Sequence, residues 1–311
     1  MTSKNLYSTP KWLIVTAYSL VIIIWSTTPI AIKWSSEGVG PIFGVSIRMA
    51  LGAIVSLLLV LVYYRKFPLH RTACKAYSAS ALALFGGMMP VYWGAQYISS
   101  GLISVIFGLS PIVTGYLAWR FIHEQNFTAM KIFAAMAGVV GLLFIFFENG
   151  QTSEGYIYGV CAVLLAVSLH SVSAVWVKSI QVDVPPLTLV AGGLLFSMPL
   201  FMMTYIINAP ALPESIPARA IWSIVYLGIV GSVIGFVCYY YLLRRLATST
   251  VALITLITPV VALWIGYVFN GEIVSVNVYA GTMFVLLGLG LHQWGDVMLK
   301  KICKKLNIYL A

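Results

Sequence analysis

The chain has 311 residues, of which 61% are hydrophobic and 8% charged, and its formal net charge is +10. Soluble domains carry about 25% charged residues, so this composition excludes an ordinary soluble domain and predicts an integral membrane protein. The positive charge is expected to reflect membrane insertion and contact with anionic lipid, and no nucleic-acid partner is predicted. The four cysteines match no CxxC or zinc spacing, so we predict no metal and no other cofactor.

Apolar stretches of bilayer length follow one another along the chain. A transmembrane helix needs about 20 apolar residues, and its backbone groups must be satisfied within the helix. We therefore predict an all-α integral membrane protein with ten transmembrane helices, at residues 12–32, 41–63, 76–97, 101–121, 129–147, 156–177, 187–207, 219–242, 248–269 and 275–294. The eighth and ninth are the hardest to separate, because Arg244, Arg245 and the small residues after them are all that divides them.

The two halves of the chain repeat one another. Segment 99–124 aligns with segment 247–272, which places Pro111 on Pro259 and Glu124 on Glu272. Upstream, Ser26, Lys33 and Pro41 align with Ser171, Lys178 and Pro186. The sequence thus predicts a first five-helix repeat at 9–147, a second at 153–296 and a basic cytoplasmic tail at 297–311.

The distribution of Lys and Arg predicts the orientation. If the N-terminus is cytoplasmic, fifteen of these residues fall on the cytoplasmic side, whereas Lys33 and Arg219 fall outside. We therefore predict both termini on the cytoplasmic side of a cell (inner) membrane. Because each repeat has an odd number of spans, the second enters the membrane from the opposite side. Inverted repeats of this kind are typical of secondary transporters.

The paired features resemble a known family. Each half has five spans, a Ser/Thr-rich entry to its fourth span, a mid-span proline (Pro111, Pro259) and a terminal glutamate (Glu124, Glu272). A glycine-rich span follows in each half, with Gly138, Gly141, Gly281, Gly288 and Gly290. This set is similar to the EamA branch of the drug/metabolite transporter (DMT) superfamily over nearly the whole chain. The resemblance implies a bacterial inner-membrane permease with a central cavity between the halves, and many such permeases export amino acids or other small metabolites.

The acidic residues restrict the substrate class. All eight lie in loops or at the ends of predicted helices. An exporter of lipophilic cations would need a carboxylate near the middle of the bilayer, both to pair the cation and to exchange a proton. We therefore expect a neutral, zwitterionic or anionic metabolite. This differs from relatives that use a buried glutamate as proton carrier, and it leaves the coupling ion open.

Polar and aromatic residues within the spans are the candidate site. Arg48 could bind a substrate carboxylate through two N–H groups, or its side chain could extend to the membrane surface. His170 is the candidate for proton coupling, because imidazole titrates near neutral pH, with a structural hydrogen-bonding role as the alternative. The other candidate substrate-binding residues, for which packing or interfacial anchoring is the alternative, are Trp25, Ser26, Tyr92, Trp93, Gln96, Ser110, Ser171, Thr258 and Trp264.

Three further sets of residues have predicted structural roles. Prolines inside spans free a carbonyl and permit a bend, so the candidate hinges are Pro29, Pro90, Pro111 and Pro259. The tyrosines at 239–241 are expected in the interfacial aromatic belt. Gly228, Gly231 and Gly235 are expected to allow close helix packing, either within the fold or between two copies in a homodimer.

No catalytic motif accompanies these features. Walker A, HExxH and GxSxG patterns are all missing from the sequence, so we predict no enzymatic activity and an energy supply from a gradient. The predicted function is secondary transport by alternating access, with export of amino acids or similar small metabolites across the lipid bilayer. The alternatives are uptake or facilitated passage of a neutral solute, and a membrane sensor or scaffold that does not transport.

Overall fold

A computed structural model describes residues 11–123, 128–146, 155–208, 215–252 and 254–305 of the chain. Within these ranges all regular structure is helical. The helices of the first half are α1 (Lys11–Ser36), α2 (Pro41–Tyr64), α3 (71–94), α4 (Ser100–Ile122) and α5 (Ala129–Phe146). Those of the second half are α6 (Tyr156–Ile180), α7 (Pro186–Asn208), α8 (Ala218–Leu243), α9 (248–252 and 254–270) and α10 (Val276–Lys305).

In the part of the chain that the structure describes, seven helices are long and apolar enough to cross a membrane: α1, α2, α4, α6, α7, α8 and the segment Thr250–Asn270 of α9. Shorter apolar segments occupy Met130–Gly141 in α5 and Val276–Gly288 in α10. Because seven segments meet the length that the bilayer requires, the chain is a multi-pass membrane protein. Glu124, which the repeat aligns with Glu272, lies outside the described residues.

Local sequence explains where helices begin and where they lose regularity. Ser99 caps α4 by accepting a hydrogen bond from the Leu102 N–H at 3.3 Å. In α3, a π-helical turn (Leu82–Gly87) ends just before Pro90, which cannot donate the next helical hydrogen bond. A second π-helical turn lies in α8 (Leu227–Ile234). Such turns redirect backbone groups and occur frequently at functional sites.

The candidate hinge prolines differ in their local backbone. Pro29 and Pro259 lie inside helices that continue past them, α1 and α9. Pro111 follows an interruption of α4 at Gly108 and Leu109. Their role as hinges stays a prediction about motion.

The two halves interleave. The first helix of each half packs on the third and fourth helices of the other half, so that α1 contacts α8 and α9 while α6 contacts α3 and α4. Similarly, α2 packs on α7 and α8, and α7 packs on α2 and α3. Helices α5 and α10 pack on each other, and a Cβ at Gly141 would lie 2.5 Å from the Gly281 carbonyl oxygen. Glycine at 141 therefore permits the close backbone approach.

Candidate substrate cavity

A cavity lies where helices of both halves meet. Counted over the positions that the centre of a water molecule can take, its volume is about 70 Å³. A single water needs about 10–15 Å³ on that measure, so the cavity holds several waters or a small solute. Its lining residues come from α1, α2, α3, α4, α6, α8 and α9, and they are Trp25, Thr28, Pro29, Ile32, Arg48, Met88, Val91, Ile103, Ser104, Phe107, His170, Gly231, Phe236, Thr255 and Thr258.

Several residues singled out in the sequence come together here. Trp25, Pro29, Arg48, His170 and Thr258 all line the cavity, although they belong to four different helices. Trp25 and Pro29 are one helical turn apart on α1, which explains why both face it. The packing of α1 on α2 and α9 places Arg48 and Thr258 near this turn, and the ring centres of Trp25 and His170 lie 5.7 Å apart.

The other candidate site residues lie elsewhere. Two serines are buried with hydroxyls that have no partner in the described part of the chain (Ser110, Ser171), and Ser26 donates to its own helix at the Ile22 carbonyl. Pro90 and Trp93 line a separate crevice between α2, α3, α6 and α7. Gln96 donates to the Trp93 carbonyl, and Trp264 is 62% exposed on α9.

Arg48 is the charged group of the cavity. Arg48 is 1% exposed, its Nε donates to Ser232 Oγ at 3.0 Å, and its Nη1 has no hydrogen-bond partner among the described residues. Its guanidinium carbon lies 5.8 Å from the centre of the Tyr92 ring, and the Tyr92 hydroxyl is hydrogen-bonded to Ser35 at 3.0 Å. Among the residues that the structure describes, no carboxylate pairs with Arg48. A buried charge without a counter-ion is costly, so this arrangement favours binding of an anionic group.

Glycines in α8 make room for Arg48. A Cβ at Gly231 would lie 3.4 Å from Arg48 Nη2, and a Cβ at Gly228 would lie 3.2 Å from the Arg48 carbonyl oxygen. Both glycines and Ser232 belong to the π-helical turn Leu227–Ile234. The glycine run of α8 therefore serves packing within the fold, one of the two alternatives that its sequence left open.

His170 lies among aromatic rings. Its ring centre is 5.7 Å from that of Trp25, 5.4 Å from that of Tyr239, 6.3 Å from that of Phe107 and 6.4 Å from that of Phe236. The residue is 7% exposed and makes no hydrogen bond to another described residue. Since Trp25, Phe107 and Phe236 also line the cavity, a bound solute would contact an imidazole and aromatic faces together.

The prediction that residues 239–241 form an interfacial belt was wrong for two of the three tyrosines. Tyr239 and Tyr240 are 5% and 1% exposed, and Tyr240 shares a hydrogen bond of 2.8 Å with Ser80. Three successive residues of a helix cannot all point outward from the protein, because each side chain is rotated by about 100° from the preceding one. The structure places Tyr239 among the aromatic rings that surround His170.

Glu272 has a role that the sequence did not reveal. Its carboxylate accepts from the backbone N–H of Ser100 at 3.0 Å, from Ser100 Oγ at 2.9 Å and from the Gly101 N–H at 3.3 Å. It also lies 3.9 Å from Lys33 Nζ, which donates to the Ile98 carbonyl. A carboxylate of the second half thus caps the N-terminus of α4 in the first half.

For the transport function that the sequence predicts, replacing Ser232 by alanine is expected to raise the KM about tenfold, with a smaller effect on kcat. The substitution removes the acceptor that holds Arg48 Nε, and a lost hydrogen bond to a charged group costs about 1.5–3 kcal/mol. Transport kinetics in proteoliposomes would measure the change. The control is Ser197→Ala on α7, where a buried serine donates to its own helix at Leu194; equal kinetics in the two variants would contradict the role of Ser232.

Comparison with known proteins agrees with this architecture. The EamA-like transporter family matches the chain twice, at residues 12–147 and 157–292. An uncharacterized transporter of Archaeoglobus fulgidus is 29% identical over 90% of this chain and 97% of its own length. A probable terminal-alkyne amino-acid exporter of Streptantibioticus cattleyicolor is 26% identical over 83% of this chain and 85% of its own.

The fold has a precedent among solved structures. A crystal structure with 17% sequence identity superimposes with a TM-score of 0.65 and covers 90% of this chain and 96% of its own. At that identity the likeness concerns the fold alone. The family match covers most of both halves, and the alignments with relatives named as transporters cover nearly the whole length of those relatives. The chain therefore belongs to the EamA-like transporter family, within the DMT superfamily.

Proposed function

We propose that the chain is a secondary transporter that exports amino acids or similar small carboxylate-bearing metabolites through the cavity of Arg48 and His170. The observation that carries the proposal is the Arg48 guanidinium, which is 1% exposed and has no carboxylate partner among the described residues. A substrate carboxylate would supply the missing negative charge through a bidentate contact. The amino-acid exporter among the relatives supports the same substrate class.

Alternating access is the proposed mechanism, with ten transmembrane helices arranged as two inverted repeats. Three observations support the repeat: the reciprocal packing of α1 and α6, the π-helical turns in the third helix of each half, and the lysines at the ends of α1 and α6. Lys33 donates to the Ile98 carbonyl and Lys178 to the Leu246 carbonyl, each just before the fourth helix of its own half. Two such units can exchange conformations and so open the cavity to either side.

Matched positions in the two halves are expected to lie on opposite sides of the cell membrane. A cysteine introduced in the loop at 37–40 should react with a membrane-impermeant maleimide added to intact cells, whereas one in the loop at 181–185 should react after permeabilisation only. The physical reason is the odd number of helices in each half, together with the excess of Lys and Arg on the cytoplasmic side. The control is a label on the lysine-rich C-terminal tail, which should be detected on the cytoplasmic side. Labelling of both loops from the same side would contradict the proposal that the two repeats are inverted.

Substrate counterflow in proteoliposomes tests the function itself. Proteoliposomes that contain the purified chain are loaded with unlabelled amino acids and organic acids. At least one labelled compound of the same panel should enter them faster than it enters liposomes without protein. Dissipation of proton and ion gradients should abolish net accumulation but not exchange, because the chain has no nucleotide-binding motif. A panel without any exchange would contradict the proposal.

Proton coupling is assigned to His170 within this proposal. It is the imidazole among the described lining residues, and imidazole is the side-chain group whose ordinary pKa lies closest to neutral. His170→Gln is expected to reduce the change of transport rate with pH about tenfold, measured as flux against pH in proteoliposomes. The control is His123→Asn at the exposed end of α4, where the backbone φ of 53° suits asparagine. An unchanged pH profile in His170→Gln would assign coupling elsewhere.

A further inference from the structure

The wall of the cavity carries charge of one sign. Among its described lining residues, Arg48 is the one permanently charged side chain and none is acidic. The other polar side-chain groups are the imidazole of His170, the indole N–H of Trp25 and four neutral hydroxyls, those of Thr28, Ser104, Thr255 and Thr258. The cavity therefore compensates one negative charge on a bound solute, and it offers no carboxylate to a positive one.

The edge of the guanidinium that remains available is suited to a carboxylate. Nε is bonded to Ser232 Oγ at 3.0 Å, which leaves the terminal edge formed by Nη1 and Nη2, and Nη1 has no partner in the described part of the chain. These two nitrogens present parallel N–H bonds that match the two oxygens of a carboxylate. Gly231 leaves the space beside Nη2 open to the cavity wall.

An α-amino acid would bring its ammonium group to the same place. The ammonium is attached to the carbon that bears the carboxylate, so docking the carboxylate on Arg48 holds a second positive charge close to the guanidinium. Like charges repel strongly in a buried site, and an ammonium removed from water without an anionic partner is poorly compensated. The faces of Trp25 and Phe236 offset part of this penalty. A carboxylate without an ammonium avoids it.

We infer, resting on the proposed function, that the preferred substrates are small monocarboxylate anions with an apolar body, such as 2-oxo acids, and that zwitterionic amino acids are poorer substrates. The carboxylate pairs with Arg48, while the body packs against apolar side chains that include Met88, Val91 and Ile103.

Three compounds with one carbon skeleton test this inference: L-leucine, α-ketoisocaproate and isocaproate. Their half-saturation concentrations are measured by counterflow with the full-length chain in proteoliposomes. Both anions are expected to have values at least about tenfold lower than leucine, a difference of about 1.4 kcal/mol. Thr258→Asp, which adds a carboxylate to the cavity, should shift the ratio toward leucine by about tenfold, whereas Thr258→Asn should leave the ratio unchanged.

The outcomes separate the inference from the function on which it rests. A value for leucine equal to or lower than those of the anions overturns the inference and leaves the transporter standing, since leucine is then carried. Transport of none of the three compounds also overturns the inference. The proposed function falls with it if the broad metabolite panel shows no exchange either.

Discussion

Arg48→Gln is expected to reduce kcat/KM for the transported substrate by about 100-fold. The guanidinium is 1% exposed, lines the cavity and has no carboxylate partner among the described residues, so a bound carboxylate is its counter-ion. Truncating one member of a buried, hydrogen-bonded charge pair costs about 2–5 kcal/mol. The measurement is initial flux against substrate concentration in proteoliposomes. The kcat/KM of Arg48→Lys is expected to lie between those of the unsubstituted protein and Arg48→Gln, because an ammonium keeps the charge and loses the bidentate contact.

The same substitution should not destabilise the protein. Glutamine removes a buried charge that has no carboxylate partner among the described residues, so the apparent melting temperature is expected to stay equal or to rise. This separates a binding role from a structural one. The matched control is Arg120→Gln at the exposed end of α4, which should leave both transport and stability unchanged. Retention of full kcat/KM in Arg48→Gln would contradict the assignment of the carboxylate site.

Glu272→Gln is expected to lower the apparent melting temperature by about 5 °C and to reduce transport. The carboxylate accepts three hydrogen bonds at the N-terminus of α4 and a fourth from Asn270 Nδ2 at 3.0 Å, and its side chain is 9% exposed. Glutamine turns one acceptor oxygen into a donor that faces N–H groups, and hydrogen bonds to charged groups contribute about 1.5–3 kcal/mol each. Thermal unfolding of the purified protein in detergent, followed by its fluorescence, measures the effect.

A second glutamate provides the control for this prediction. Glu37 lies 3.8 Å from Arg219, but the two side chains are 42% and 61% exposed. Exposed ion pairs contribute about 0–1 kcal/mol, so Glu37→Gln should change the melting temperature by roughly 1 °C or less. Equal shifts in the two variants would show that Glu272 acts as an ordinary surface charge, and that the contact between α4 and the end of α9 does not depend on it.

Part of this site could be predicted from the chain alone. Arg48 and His170 stood out because charged and titratable groups are rare within apolar stretches of bilayer length, and both line the cavity. Gln96 and Trp264 were candidates as a polar and an aromatic residue within predicted spans, yet they lie at a helix end and on an exposed face. A polar or aromatic residue in a span does not reveal which side of its helix faces the other half, and the long apolar runs here have apolar residues on every side.

The sequence by itself determined the class of the protein and its repeated plan. Apolar segments of bilayer length must be helical, because no water is present there to satisfy their backbone groups, and the aligned prolines, lysines and glutamates show the two halves. The tertiary structure alone decided which polar groups meet. Arg48 and Ser232 are 184 positions apart, and Glu272 is 172 positions from the Ser100 that it caps. Such contacts arise from packing between helices of different halves, and no local periodicity encodes that packing.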